Sequence, residues 1–370
     1  FVTAAVTGRI PHPPGFPLYM ILARLSVGVV KGDPARALNA LSALMAALTA
    51  GLTALACAIR TDSLWAGITA GLSVAFAPLF WSQALITEVY ATAAFFVALS
   101  LVFIGVKDPN RIWAVRASGL ALGLAAAVHP LTLVVLSTLV IEVPNHLWDI
   151  GAGVLAGALF YVMMPVMSHP WPQPWGDLST FEGWWAYVSA QMYRHYVFGL
   201  PLRDWPRRSL AWGVSLVRQV TPLGGLLIVR GSAYLFRHQL TRAVGTWLSI
   251  AIVGLFCIGY NTIDSLVYLV PVLPLFIVLL GYGIQSLNQW KVPPWIGLVI
   301  PILLLIINWQ VMDLSDDWEA VAWARNRLLA LPSRAVAVTY DDRHTFGLWY
   351  ATKAQGWRPD VLIVDTRLWA

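Results

Sequence analysis

The chain has 370 residues, 58% of them hydrophobic and only 11% charged, with a formal net charge of +6. A soluble domain carries about 25% charged residues, so this deficit, with a mean hydropathy of +0.69, excludes an ordinary soluble enzyme or binding module. The arginines are scattered through short loops rather than clustered with aromatics on one polar face, which excludes a nucleic-acid-binding surface. Cys57 and Cys257 both fall inside apolar runs, so neither a disulfide framework nor a thiolate metal site is expected.

Residues 8–19, GRIPHPPGFPLY, form a polar, proline-stiffened segment ahead of the apolar body. Pro11, Pro13 and Pro14 around His12 forbid a helix, and Gly15 permits a sharp bend. Such a loop presents Arg9 and His12 at a membrane surface; the plainer alternative is a turn that only delivers the chain to the next helix. Apolar runs near bilayer-spanning length follow at 36–59, 64–80, 86–106, 114–128, 131–143, 147–168, 210–229, 243–260, 265–284 and 294–310. The runs at 114–128 and 131–143 are short and split by His129-Pro130, so they read as thin spans or as a re-entrant hairpin.

A long polar loop rich in Trp and Pro occupies 169–209, and the sequence turns soluble in character after 312. There WEAVAWARNRLLAL predicts an amphipathic helix, AVAVT (335–339) a strand, TFGLWYATKA a helix and VLIVD (361–365) a second strand. The predicted fold is therefore an all-α polytopic membrane bundle of about nine or ten spans over residues 1–312, with external loops 1–35 and 169–209. A small, truncated α/β soluble segment occupies 313–370 on the non-cytoplasmic side. With no initiating methionine or signal peptide, the chain reads as a fragment at both ends.

Loop charge gives the orientation. With the first loop outside, Arg60, Lys107, Arg111, Arg116, Arg230, Arg237, Arg242 and Lys291 share one side, which the positive-inside rule makes cytoplasmic. Arg203, Arg207 and Arg208 oppose this, but long loops weigh less in the rule. The other face then receives His12, Glu88, His129, the 169–209 loop, Asp264 and the tail.

Each of these residues has a functional and a structural reading. Glu88, in FWSQALITEVYATAAFF, lies at the mouth of a span, where a carboxylate is costly unless paired or hydrated; it is a site residue or a hydrogen-bond partner of a neighbouring helix. His129 serves a site or caps an interfacial helix end, and for Asp264 a helix cap is the preferred reading. Arg218 interrupts AWGVSLVRQVTPLGG, where it meets a lipid phosphate or snorkels to the headgroups. GAGVLAG (151–157) and the GxxxG spacings at 67–71 and 119–123 read as close helix packing, not dinucleotide binding.

The segment TAAVTGRIPHPPGFPLYMILARL resembles the first-loop signature of a bacterial family of unassigned membrane proteins. That family is related to animal O-mannosyltransferases acting on plexin-type extracellular domains, within the GT-C glycosyltransferase superfamily. FWSQALITEVYATAAFFVAL (80–99), AVHPLT (127–132), WGDLSTFEGWWAYVSAQMYR (175–194) and YNTIDSLVYLVPVLPLF (260–276) match in the same order. The tail resembles members with a soluble C-terminal region, so the resemblance covers nearly the whole chain.

The resemblance implies transfer of a sugar, mannose or a similar hexose, from a polyprenyl-phosphate donor to a hydroxyl of a protein or glycan acceptor at the outer leaflet. It implies no nucleotide, and no cofactor or metal-ligating residue is assigned. Arg9 and His12 are then candidates for phosphate or sugar contact, with Glu88 and His12 assigned to the catalytic group. Tyr90, His129, Arg218 and Asp264 are assigned to substrate binding, and Trp175, Asp177, Trp184 and Trp185 to the floor of an acceptor groove. One departure stands out: in the family an acidic motif precedes the His-Pro-Pro-Gly segment, and by resemblance it carries the catalytic base. The chain opens at Phe1-Val2-Thr3, where that motif would just have ended, so the given piece is expected to lack the base. The competing classes are a transporter or lipid flippase, which also uses broken helices and intramembrane charge, and a scaffold displaying the tail. Against transport, the polar residues collect on one face and no inverted repeat is visible.

Overall fold

Apolar segments fold as helices because a bilayer offers no water to satisfy their amides. The computed structural model of the protein describes residues 1–108, 111–167 and 175–368. Helices Pro34–Thr61, Pro144–Met167, Leu240–Gly259, Ser265–Trp290 and Pro294–Met312 are each long and apolar enough to cross a membrane. Two bent pairs raise the number to seven if each is one span, and Pro17–Val29, Tyr90–Gly105, Ile112–Val128 and Pro130–Glu142 are apolar but shorter. The protein is a polytopic, all-helical membrane bundle carrying a small α/β element.

The chain divides into two units. One comprises Ser42–Phe160 and Tyr193–Met312. Its central helix, Leu273–Ser286, is buried at almost every position, and small residues set its helix spacing. A Cβ added at Gly67 would lie 2.6 Å from the Ala54 carbonyl, and one at Gly71 2.6 Å from that of Ala50. Helices Ile112–Val128 and Leu147–Ala158 interlock in the same way. A Cβ at Gly119 would lie 2.6 Å from the Ile150 carbonyl, while Gly157 presses on the backbone of Gly123. Both GxxxG spacings and GAGVLAG are thus packing devices, as their sequence context predicts.

Prolines break this unit where the sequence reads as continuous spans. The 64–80 run is two helices, Leu64–Phe76 and Pro78–Ala84, bent by 63°. The 210–229 run is likewise no single span: Leu202–Arg218 and Thr221–His238 meet at 96°. Pro222 has no amide to continue the first helix, and Thr221 takes a left-handed φ of 64° instead. Arg60 corrects a second reading. It is no loop charge but 5% exposed in the last turn of Pro34–Thr61, where its Nη1 donates to Glu142 Oε1 at 3.0 Å.

The other unit gathers Phe1–Leu41, Tyr161–Met192 and Asp313–Ala370. Residues 1–35 are not an open loop: helices Val2–Thr7 and Pro17–Val29 flank the His-Pro-Pro-Gly turn. Gly15 makes that turn at φ 89°, and a Cβ there would meet Met164, Ile10 and Tyr187. In the tail, helices Glu319–Leu329 and Asp342–Trp349 accompany strands Val336–Thr339 and Leu362–Asp365. The strands pair in parallel, Val336 opposite Leu362, as the β-α-β pattern predicts.

Candidate active site

In the helical unit, chain breaks concentrate the polar groups. Helix Pro78–Ala84 stops, residues 85–89 are irregular, and the chain re-enters a helix at Tyr90. Glu88 sits in that link, half-buried. Its carboxylate accepts a long bond, 3.4 Å, from the next amide, that of Val89, and its carbonyl accepts from Ser42 Oγ. Helix Ile112–Val128 ends at His129 because a residue before proline is disfavoured in the helical region; His129 is extended, with φ −153°.

His129 Nδ1 accepts from the Leu131 amide at 3.3 Å. The capping reading of this residue therefore describes one edge of the ring. With Nδ1 accepting, the neutral ring carries its proton on Nε2. The ring is 5.5 Å from Tyr90 and 5.7 Å from Tyr268, and Tyr90 and Tyr268 are 6.1 Å apart. Tyr260 extends the cluster, 5.4 Å from Tyr268. Glu88 and Asp264 both lie within electrostatic range of Tyr90.

Asp264 is exposed and precedes the 3-10 helix Ser265–Val272, but its side chain makes no cap bond, so the cap reading preferred from sequence is not what the fold uses. Arg208 holds that turn instead, donating to the Thr262 carbonyl at 2.8 Å and to Ser265 Oγ. Arg218 is exposed in the last turn of Trp205–Arg218, and its side chain joins none of these groups through a hydrogen bond or ion pair among the described residues.

The second unit assembles its own cluster. His12 packs edge-on against Phe16 at 5.2 Å and Trp175 at 5.9 Å, and Trp175 reaches Phe346 of the tail at 6.1 Å. Tyr187, 2% exposed, donates its hydroxyl to the Pro11 carbonyl. Arg24 Nη2 donates to the Arg9 carbonyl at 3.0 Å and Nη1 to that of Met167 at 3.1 Å, while Arg9 lies within electrostatic range of Lys353. The residues assigned to the acceptor-groove floor separate by role. Trp184 Nε1 donates to the Tyr161 carbonyl at 2.9 Å and packs with Ile10, Leu178 and Tyr187, so it holds the loop together. Asp177 accepts from the Ser179 side chain and, at 2.8 Å, from the Ser179 amide, turn-forming bonds that lower its pKa. Trp185 is 52% exposed and offers an open ring face.

Each cluster has a defined chemistry. Tyrosine rings with hydroxyls, an imidazole N–H and a weakly bonded carboxylate suit a polyol, and gathered cations suit a phosphate. Tyr268, Tyr260, Arg208, Arg24 and Lys353 were missed by sequence reasoning. YNTIDSLVYLVP carries two of them in plain view, yet nothing local says that its tyrosines meet His129. Among the described residues no group of three or more His, Cys, Asp or Glu could hold a metal ion.

The model of the "Protein O-mannosyl-transferase TMEM260 N-terminal domain" family matches residues 1–146. The family resemblance read from the sequence holds. The mouse (Mus musculus) protein O-mannosyl-transferase TMEM260 is 23% identical over 421 aligned positions, covering 99% of this chain. The chain spans 58% of the length of that relative. Among solved structures, ArnT from Cupriavidus metallidurans, crystallised with undecaprenyl phosphate, superposes with a TM-score of 0.62 across 96% of this chain and 79% of its own. Identity there is 13%, so the likeness is one of fold, and that fold is GT-C-like.

Proposed function

We propose that this protein is a membrane glycosyltransferase that moves a sugar, mannose or a similar hexose, from a polyprenyl-phosphate donor to an acceptor hydroxyl on the non-cytoplasmic face. The observation that carries this reading is the meeting of Tyr90, His129 and Tyr268 beside Glu88, at two helix breaks of a GT-C-like bundle. A mannosyltransferase relative and a fold neighbour bound to undecaprenyl phosphate support the donor class.

In the proposed reaction a carboxylate takes the proton of the acceptor hydroxyl, whose oxygen bonds to the anomeric carbon. The bond from that carbon to the phosphate oxygen breaks, and the polyprenyl phosphate leaves with the electron pair. Glu88 orients the acceptor or the sugar, and His129 and the tyrosine hydroxyls hold sugar oxygens; in the other unit, His12 and Arg9 are the candidates for a phosphate or sugar contact. Trp185 offers a stacking face to the acceptor.

The reading is tested by transfer of radiolabelled sugar from synthetic polyprenyl-phosphate mannose and glucose to membrane proteins and glycans. The full-length protein in vesicles, with and without Glu88→Gln, is the material. Product formed with the parent and lost with the variant supports it. Movement of the lipid-linked sugar across the vesicle bilayer without any transfer product would favour the flippase instead.

A further inference from the structure

We propose that the helical unit carries an anion site, for the phosphate of an anionic phospholipid, at the end of segment Pro130–Glu142 away from His129. The 13 residues of that segment separate the two by about 20 Å at helical rise, so this site is distinct from the Tyr90–His129 cluster. A cavity of about 360 Å3 opens there, lined by Arg111, Glu142, Val143, Gln239, Thr241 and Arg242. That volume lies within the range of roughly 300–1,000 Å3 usual for small-molecule pockets.

The charge in this pocket is unbalanced. Glu142 is the one carboxylate in the lining, and it is already engaged by two cations, Arg60 Nη1 at 3.0 Å and Arg242 Nε at 3.6 Å. Arg111 adds a third, and its guanidinium has no hydrogen bond or ion pair among the described residues. Arg60 stands behind Glu142 at 5% exposure, outside the lining itself and beside the Tyr282 hydroxyl.

The donors are also pre-aimed. Gln239 Oε1 accepts from Arg242 Nη1 at 2.6 Å, which fixes that guanidinium at the pocket wall. Gln239 precedes helix Leu240–Gly259 without capping it through its side chain, so the first amides of a 20-residue helix border the same space. Thr241 adds a hydroxyl donor. Two guanidinium groups, a hydroxyl, an amide and a helix start match the three outer oxygens of a phosphate, and basic pockets between membrane helices are where lipid headgroups bind. A phosphate diester on a lipid and free phosphate share this chemistry.

The test is thermal unfolding of the full chain in neutral detergent with added phosphatidylglycerol, phosphatidylcholine or inorganic phosphate. Arg111→Gln and Thr241→Ala are compared with Arg203→Gln, a control cation whose side chain is 85% exposed. Phosphatidylglycerol should raise the midpoint and phosphatidylcholine should not. Arg111→Gln should weaken that response about tenfold, the scale of one charge-assisted hydrogen bond. Thr241→Ala should weaken it less, and Arg203→Gln should leave it unchanged. Both pocket variants change groups with no other bond to lose, so folding is retained. A midpoint shift produced in full by inorganic phosphate, with nothing added by the lipid, would overturn the lipid assignment in favour of a soluble phosphate. No anion response, or an undiminished one in Arg111→Gln, would overturn the site altogether.

Discussion

The hydroxyl of Tyr187 donates to the carbonyl of Pro11, pinning the proline loop to the helix Phe181–Val188 of the long central segment. The two residues are 176 positions apart in the chain, and the bond is buried. Pro11 is the residue before His12, so the anchor for His12 comes from a distant part of the sequence. Tyr187→Phe keeps the ring and strands the carbonyl, which should cost about 1–3 kcal/mol of stability. In the transfer assay the donor KM should rise while kcat changes little. An unchanged KM with an unchanged unfolding midpoint would show that the bond does not hold the loop.

Glu88→Gln keeps shape and hydrogen-bonding capacity while removing charge. Under the proposed reaction its turnover should fall by roughly 10²-fold or more, the scale of a lost acid–base or positioning contact. Turnover within a few-fold of the parent would remove Glu88 from the site and leave it a structural partner at a helix mouth.

Gly157 presses on the backbone of Gly123, so any side chain there must push two helices apart. Gly157→Leu should destabilise by about 1–3 kcal/mol or more through overpacking. The yield of monodisperse protein and its thermal midpoint report this. Gly151, with open space around its missing Cβ, provides the control, and Gly151→Ala should be close to neutral.

The tail has a pH window. Asp365 accepts from Arg367 Nη2 at 2.9 Å and from Thr345 Oγ1 at 2.6 Å, and its pairing with Arg367 lowers its pKa to about 2. A carboxylate with a depressed folded pKa contributes stability above its unfolded value of about 3.9 and loses it as pH falls through the folded one. Protection of the Ile363 and Val364 amides, their exchange rate relative to the intrinsic rate at the same pH, should fall between about pH 4 and pH 2. Asp365→Asn should flatten that dependence; an identical profile in the variant would assign the effect to other groups.

Orientation is checked by cysteine labelling at Thr180 and Tyr340, both exposed. The proposed non-cytoplasmic placement of the central loop and the tail expects both to react with an impermeant maleimide from outside the cell. Labelling from the cytoplasm alone would overturn the topology and the face assigned to the reaction.

Local chemistry made much of this protein legible in its sequence. The apolar runs are helices because hydrophobicity and amide satisfaction act residue by residue, and the parallel pairing of VAVT with LIVD follows from a β-α-β pattern within 30 residues. The glycine spacings announced close helix packing because a missing Cβ has one use in an apolar helix. The runs at 64–80 and 210–229 read as continuous spans although Pro78 and Pro222 lie in them, since a proline in an apolar run does not say whether or where the helix turns.

What only the tertiary structure decided is which groups meet. Arg60 reads as a loop cation until Glu142, 82 positions later, is found beside it. Asp264 reads as a cap until its side chain proves uncapped, with Arg208 holding the turn from 57 positions away at Ser265. Tyr268 reads as one more aromatic in an apolar run until His129 and Tyr90 close around it. Periodicity and propensity are short-range properties, whereas a site is assembled by packing across long sequence separations. The residue types of this candidate site can therefore be read from the chain, while their grouping depends on how the helices pack.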